Sequence, residues 1–153
     1  MKRTLFCMLA FFILSCDKTY ISSIPDYPVY LELDLDYEDK ALKAIQAYHI
    51  YTQKDINQDI ERTGFGGVLV YHGISDNGTG AYYAFDAACP HEANRTVTVE
   101  VDADRIYAVC PKCQSKYELL NGIGNRISGP SKEQLKAYHV QTVGNKVYVR
   151  STY

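Results

Sequence analysis

The chain has 153 residues, 22% of them charged, with 16 Lys and Arg against 18 Asp and Glu. That is enough chain for one domain with its own core, and with no basic stripe in it nucleic acid is excluded as a partner. Fourteen Tyr and no Trp suit half-buried strands and wet surfaces.

The first element is a leader. Lys2 and Arg3 precede an apolar run, Leu5 to Leu14, and then Ser15-Cys16. A run of this length is too short to span a bilayer, so 1–15 reads as a cleaved export signal. Its end, Ile13-Leu14-Ser15-Cys16, resembles the bacterial lipobox, with Ile in place of the usual Leu. That resemblance implies a lipidated Cys16 as the first mature residue. Acyl chains contribute about 0.8 kcal/mol per buried CH₂, so such a residue holds the protein on a membrane. The expected location is the bacterial cell envelope, exported and lipid-anchored at the outer membrane or the periplasmic face. The alternative is an ordinary signal with an incidental Cys. Lys2 and Arg3 leave with the leader, so 14 of the 16 basic residues face 18 acidic ones in the mature chain.

Residues 16–28 are polar, hold Pro25 and Pro28, and read as a tether to a domain spanning 29–153. Val29 to Asp36 alternates apolar and acidic residues, the pattern of a strand with one wet face. Ala41 to Tyr51 fits a helix by composition and a strand by its alternate Ile45, Ala47, His49 and Tyr51. Gly64-Phe65-Gly66-Gly67 breaks the chain before the strand Val68 to Tyr71. Ser75 to Gly80 is a turn, and Ala81 to Phe85 returns as a strand. Thr96 to Val101 alternates again, and Arg105 to Val109 reads as another strand. Val143-Gly144-Asn145-Lys146 is a two-residue hairpin signal before Val147-Tyr148-Val149. Short strands broken by Gly-rich turns indicate an all-β sandwich or barrel.

The chemistry lies in two turns. Cys89-Pro90-His91 and Cys110-Pro111-Lys112-Cys113 are separated by 18 residues and offer three thiols and an imidazole. Each spacing lets one tight turn present two ligands to one metal centre. Of the five Cys, Cys7 goes with the leader and Cys16 carries lipid. The remaining three cannot all pair as intramolecular disulfides.

From about Gly66 to Arg150 the chain resembles a Rieske iron–sulfur domain. The resemblance rests on the two turns above, on Gln114-Ser115-Lys116-Tyr117 after the second, and on the lead-in Tyr83-Ala84-Phe85-Asp86. Further on, Asn121-Gly122, Ser128-Gly129-Pro130, Leu135, Tyr138-His139-Val140 and the Gly144-Asn145 turn follow in the family's order. It implies an antiparallel sandwich or barrel with a small cluster-binding subdomain at about 87–131. It also implies a [2Fe–2S] cluster and an electron carrier rather than an enzyme, with a redox protein as partner. Cys89 and Cys110 would hold the inner iron, and His91 and Cys113 the outer one. Ser115 and Tyr117 align with hydroxyls that bond to the family's sulfurs, and Pro130 with the loop around the cluster.

The chain departs from the family at one ligand: the second His falls on Cys113, and the Gly after it on Gln114. Three thiolates on a +2 core give −1, which places the expected potential between about −400 mV and the Rieske range of about −150 to +300 mV. Cys₃His is also a closed tetrahedral zinc set, and the leader lacks the twin-Arg signal by which folded iron–sulfur proteins are exported. Zinc, a Cys110–Cys113 disulfide or no metal, on a non-redox envelope lipoprotein, is the alternative. His49, His72 and His139 stand without partner motifs. No Ser-His-Asp set, carboxylate pair or phosphate-binding loop is present, and the Gly64–Gly67 stretch does not open a helix.

Overall fold

Eleven strands make up the computed structural model, which describes residues 22–152. In chain order they are β1 (Val29–Asp34), β2 (Tyr48–Tyr51), β3 (Arg62–Thr63), β4 (Val68–Ile74), β5 (Gly80–Asp86) and β6 (Glu100–Val101). β7 (Tyr107–Val109), β8 (Lys116–Glu118), β9 (Arg126–Ser128), β10 (His139–Val143) and β11 (Lys146–Arg150) follow. They form three sheets, with orders β10-β11-β1-β3, β2-β4-β5 and β6-β7-β8-β9, and every pairing is antiparallel. The fold is all-β, as expected. No helix among the described residues is long and apolar enough to cross a membrane.

Strand β4 shows how the layers stack. Side chains alternate across a sheet, so Val68 and Val70 join one core and Leu69 and Tyr71 the other. The first core lies against β1 and β11, through Leu31, Leu33, Val147 and Val149. The second lies against β7 and β8, through Ala108 and Tyr117, with Leu119 just after β8, and contains Cys89 and Cys110. A strand covered on both faces has no wet side, so β4 is buried from Val68 to Gly73. In β1 only one face is covered, and Val29, Leu31 and Leu33 alternate with half-buried Tyr30, Glu32 and Asp34. Each such apolar side chain contributes roughly 1.5–3 kcal/mol by its burial.

The ambiguous stretch 41–51 contains both forms. A 3-10 turn at Lys40–Lys43 buries Leu42. The chain then reverses at Gln46, φ 65°, and β2 pairs with β4. Beyond this stretch β4, β5 and β11 run longer than expected, and two strands are shorter. Of Thr96 to Val101, only Glu100–Val101 pairs as a strand, with an isolated Ala88–Thr98 bridge before it. Arg105 is not in a strand at all: it has φ 56°, in a turn where the Asp102 carboxylate accepts from the N–H groups of Ile106 and Tyr107, both at 3.2 Å.

The segment read as a tether is built into the domain at its far end. Ile24 is buried, and the Lys136 ammonium donates to the carbonyls of Ile24 at 3.2 Å and Pro25 at 3.0 Å. The leader and Cys16 lie outside the described residues.

Candidate metal centre

Both ligand turns begin where a strand has ended. The Cys89 turn follows β5 and the Cys110 turn follows β7, and the two are alike in backbone. Ala93 N–H donates to the Cys89 carbonyl at 2.9 Å, and Gln114 N–H to the Cys110 carbonyl at 3.0 Å. Ala93 and Gln114, each four residues after the first Cys of its turn, are left-handed at φ 45° and 60°. A non-glycine residue is uncommon there; Gln114 secures its place with a side-chain amide bond to the Pro111 carbonyl at 2.8 Å.

The buried Asp86 carboxylate fixes the first turn. It accepts from Ala88 N–H at 2.8 Å, Gly66 N–H at 3.1 Å, Phe65 N–H at 3.1 Å and the Tyr138 hydroxyl at 2.6 Å. One side chain thus joins β5, the Gly64–Gly67 loop and the segment before β10. Nothing in the sequence singles Asp86 out beyond its place in the lead-in, because its partners are mostly backbone groups, which leave no trace in residue type.

The turns bring Cys89, Cys110 and Cys113 together, with their three Sγ atoms all within 4.8 Å of one another. Cys89 and Cys110 are fully buried, and Cys113 half-buried. The sulfurs meet hydroxyls: the Tyr117 hydroxyl lies 3.5 Å from Cys89 Sγ, and Ser115 Oγ 3.2 Å from Cys113 Sγ. Ser115 Oγ accepts from both the Cys113 thiol and Ser131 N–H, the latter at 3.0 Å, and once the thiol ionises the Ser115 hydroxyl proton can turn to the sulfur. Ser131 is buried, whereas Pro130 before it is exposed, so Ser131 is the residue of that loop that reaches the site. In the sequence only the Gly129-Pro130 pair before it stands out.

The three thiols do not have equal acidity. Burial pushes the Cys110 thiol up to about 12, against backbone bonds from Cys113 and Lys112. Burial also raises Cys113, but bonds from the Ser115 hydroxyl and backbone, and from Cys110 and Cys89, outweigh it and lower this thiol. Lys112 lies beside them. Its ammonium is bonded to Glu92, which raises its pKa, as do the thiols of Cys110 and Cys113. This ion pair runs from one ligand turn to the other, and the Glu92 side chain is only 11% exposed.

His91 is not with the thiols. It is exposed, stands outside the group of three, and lines a groove with Pro90, Pro130 and Ser131. The other histidines lie elsewhere. His72 is buried, its Nδ1 2.9 Å from the Leu42 carbonyl and its ring stacked on Tyr82. His49 stands 3.6 Å from the Asp55 carboxylate, and His139 is exposed on β10.

These positions test the implied cluster. Ligands on two different irons stand further apart than ligands on one, because bridging sulfides separate the metals. Cys89 and Cys113, assigned by the resemblance to different irons, are 3.6 Å apart at Sγ. Three sulfurs on one tetrahedral ion, each at about 2.3 Å, stand about 3.8 Å apart. The thiols as placed fit one metal ion and do not divide between two irons.

No protein-family model matches the chain, and no curated protein does. Solved structures that it resembles include the plasma membrane Rieske protein PetC3 of the cyanobacterium Synechocystis PCC 6803. The identity is 23%, covering 66% of this chain and 82% of that one, at TM-score 0.46. Another is a chain of the complex of oxygenase and ferredoxin in carbazole 1,9a-dioxygenase, at 16% identity, 80% and 93% coverage and TM-score 0.48. At such identities and scores the likeness adds no weight to what the residues themselves say.

Proposed function

We propose that this chain is a Rieske-like electron carrier of the bacterial envelope, working through a metal centre held by thiolates at the two turns. The observation that carries this reading is the convergence of Cys89, Cys110 and Cys113 on one point, with hydroxyls of Tyr117 and Ser115 on two of the sulfurs. Hydrogen bonds to thiolate sulfur stabilise the more negative, reduced state, which is how a protein adjusts the potential of such a centre. The resemblance implies a [2Fe–2S] cluster with His91 as its fourth ligand, a set that the thiols as placed do not fit. The role itself asks only for a redox metal on thiolates. Cys113 is half-buried, so electrons have a short path to a partner protein docked over the turns.

Anchoring belongs to the same proposal and rests on sequence: the basic start, the apolar run to Leu14 and the lipobox-like Cys16. In a bacterial host, Cys16→Ser should move the protein from the membrane fraction to the soluble one.

The test of the carrier is electrochemistry on protein purified without air. A reversible one-electron couple, absent from Cys110→Ser, supports it. Redox-silent protein loaded with zinc would make the chain a non-redox lipoprotein on the same scaffold.

A further inference from the structure

We infer that the centre is mononuclear: Cys89, Cys110 and Cys113 hold one ion of a soft or borderline metal through three thiolates, and its fourth position is filled from outside this trio. The inference rests on the reading of these turns as a metal centre, and departs from the cluster and ligand set that the resemblance implies.

Three observations support it. The first is distance. All three sulfurs lie within 4.8 Å of one another, and across the turns Cys89 Sγ stands 3.6 Å from Cys113 Sγ. That is the edge of a tetrahedron around a single ion.

The second is the backbone equivalence of the two turns. Cys89 corresponds to Cys110, since each accepts at its carbonyl from a left-handed residue four positions on. His91 therefore corresponds to Lys112, and Cys113 to Glu92. In the second turn the thiol that joins its partner is three residues on, and the residue two on is the exposed Lys112. His91 occupies the same position in the first turn and is likewise exposed. His91 thus shares the place and the exposure of Lys112 rather than the half-buried place of Cys113.

The third is charge. Three thiolates on a divalent ion leave −1, and the second turn carries the cationic Lys112 between Pro111 and Cys113. Its bond to Glu92 joins the two turns. Thiolate donors select zinc, iron and Cu(I) over magnesium or calcium, so the ion belongs to the former class.

The test uses the folded protein, reduced and free of metal, titrated without air with Co²⁺ and Zn²⁺, and separately reconstituted with iron and sulfide. Expected are one metal per chain, thiolate-to-Co²⁺ charge-transfer absorption, and no acid-labile sulfide after reconstitution and desalting. Each of Cys89→Ser, Cys110→Ser and Cys113→Ser should lose more affinity than the roughly 10–100-fold that outer-shell changes cost. His91→Ala, at an exposed position, should bind as the wild type does. Circular dichroism of each variant separates lost ligation from lost folding.

Two iron and two sulfide per chain would overturn the mononuclear centre and leave the electron carrier standing. His91→Ala failing as the cysteine variants do would overturn the three-thiol assignment. No metal bound by the folded, reduced wild type would remove both the inference and the reading beneath it.

Discussion

Cys113 and Cys89 are 24 positions apart in the chain, yet their sulfurs stand 3.6 Å from each other. The contact exists because β5 and β7 deliver their following turns to one place over the second core. It brings the half-buried Cys113 thiol, lowered by its hydroxyl partner, against two fully buried ones.

The approach depends on Asp86. Asp86→Asn keeps the volume but presents an amide where three N–H groups and a hydroxyl converge. Hydrogen bonds to a charged group are worth about 1.5–3 kcal/mol, and at least one N–H would lose its partner. The variant should be destabilised by about 3 kcal/mol in urea unfolding and should bind metal more weakly. A loss under about 0.5 kcal/mol would mean that Asp86 does not organise the first turn.

How much of this could be read in advance differs from residue to residue. The Gly144-Asn145 hairpin and the alternation of Val29, Leu31 and Leu33 were legible, because turn chemistry and one-sided burial mark residue type directly. The stretch 41–51 was not, since a 3-10 turn and a strand meet there at a left-handed Gln46 that no residue type announces. Of the site, the three thiols were legible from spacing alone. The outward position of His91 was not. Spacing says which residues share a turn, but the turn's backbone decides which side chains face inward. Asp86 and Ser131 were missed because both act on backbone N–H groups or through another side chain.

Gly129 lies at φ +91°, where a Cβ would meet Ser115 Cα at 2.4 Å and Ser115 N at 2.8 Å. Those atoms are backbone and cannot swing aside. Gly129→Ala should push the loop away from the site and break the bond from Ser131 N–H to Ser115 Oγ. Strain at such a position costs on the order of 1–3 kcal/mol, so the melting temperature should fall by several degrees. In metal-free protein the Cys113 thiol should react more slowly with iodoacetamide near neutral pH, having lost an oriented donor. A variant as stable and as reactive as the wild type would contradict the contact.

Tyr71 gives a prediction with a pH sign. It is fully buried, and its hydroxyl donates to the Arg105 carbonyl at 2.5 Å. Burial, helped by the charge of Asp102, raises the phenol from 10.0 to about 12. Below pH 10 the phenol is neutral in folded and unfolded chains alike, and Tyr71→Phe should cost roughly 0.5–1.5 kcal/mol for the lost bond. Between pH 10 and 12 the unfolded chain ionises Tyr71 first, so the wild type loses stability there while the Phe variant does not lose this part. The difference between the two should therefore shrink from pH 9 to pH 11.5 in urea unfolding. A difference that stays constant or grows would show that the raised phenol is not linked to folding.

X-ray absorption at the edge of whichever metal the purified protein carries tests the central claim most directly. The account predicts about three sulfur neighbours at about 2.3 Å and no second metal in the next shell. A nearest shell of nitrogen and oxygen alone would contradict the thiolate centre, and a metal neighbour in the next shell would contradict its being a single ion.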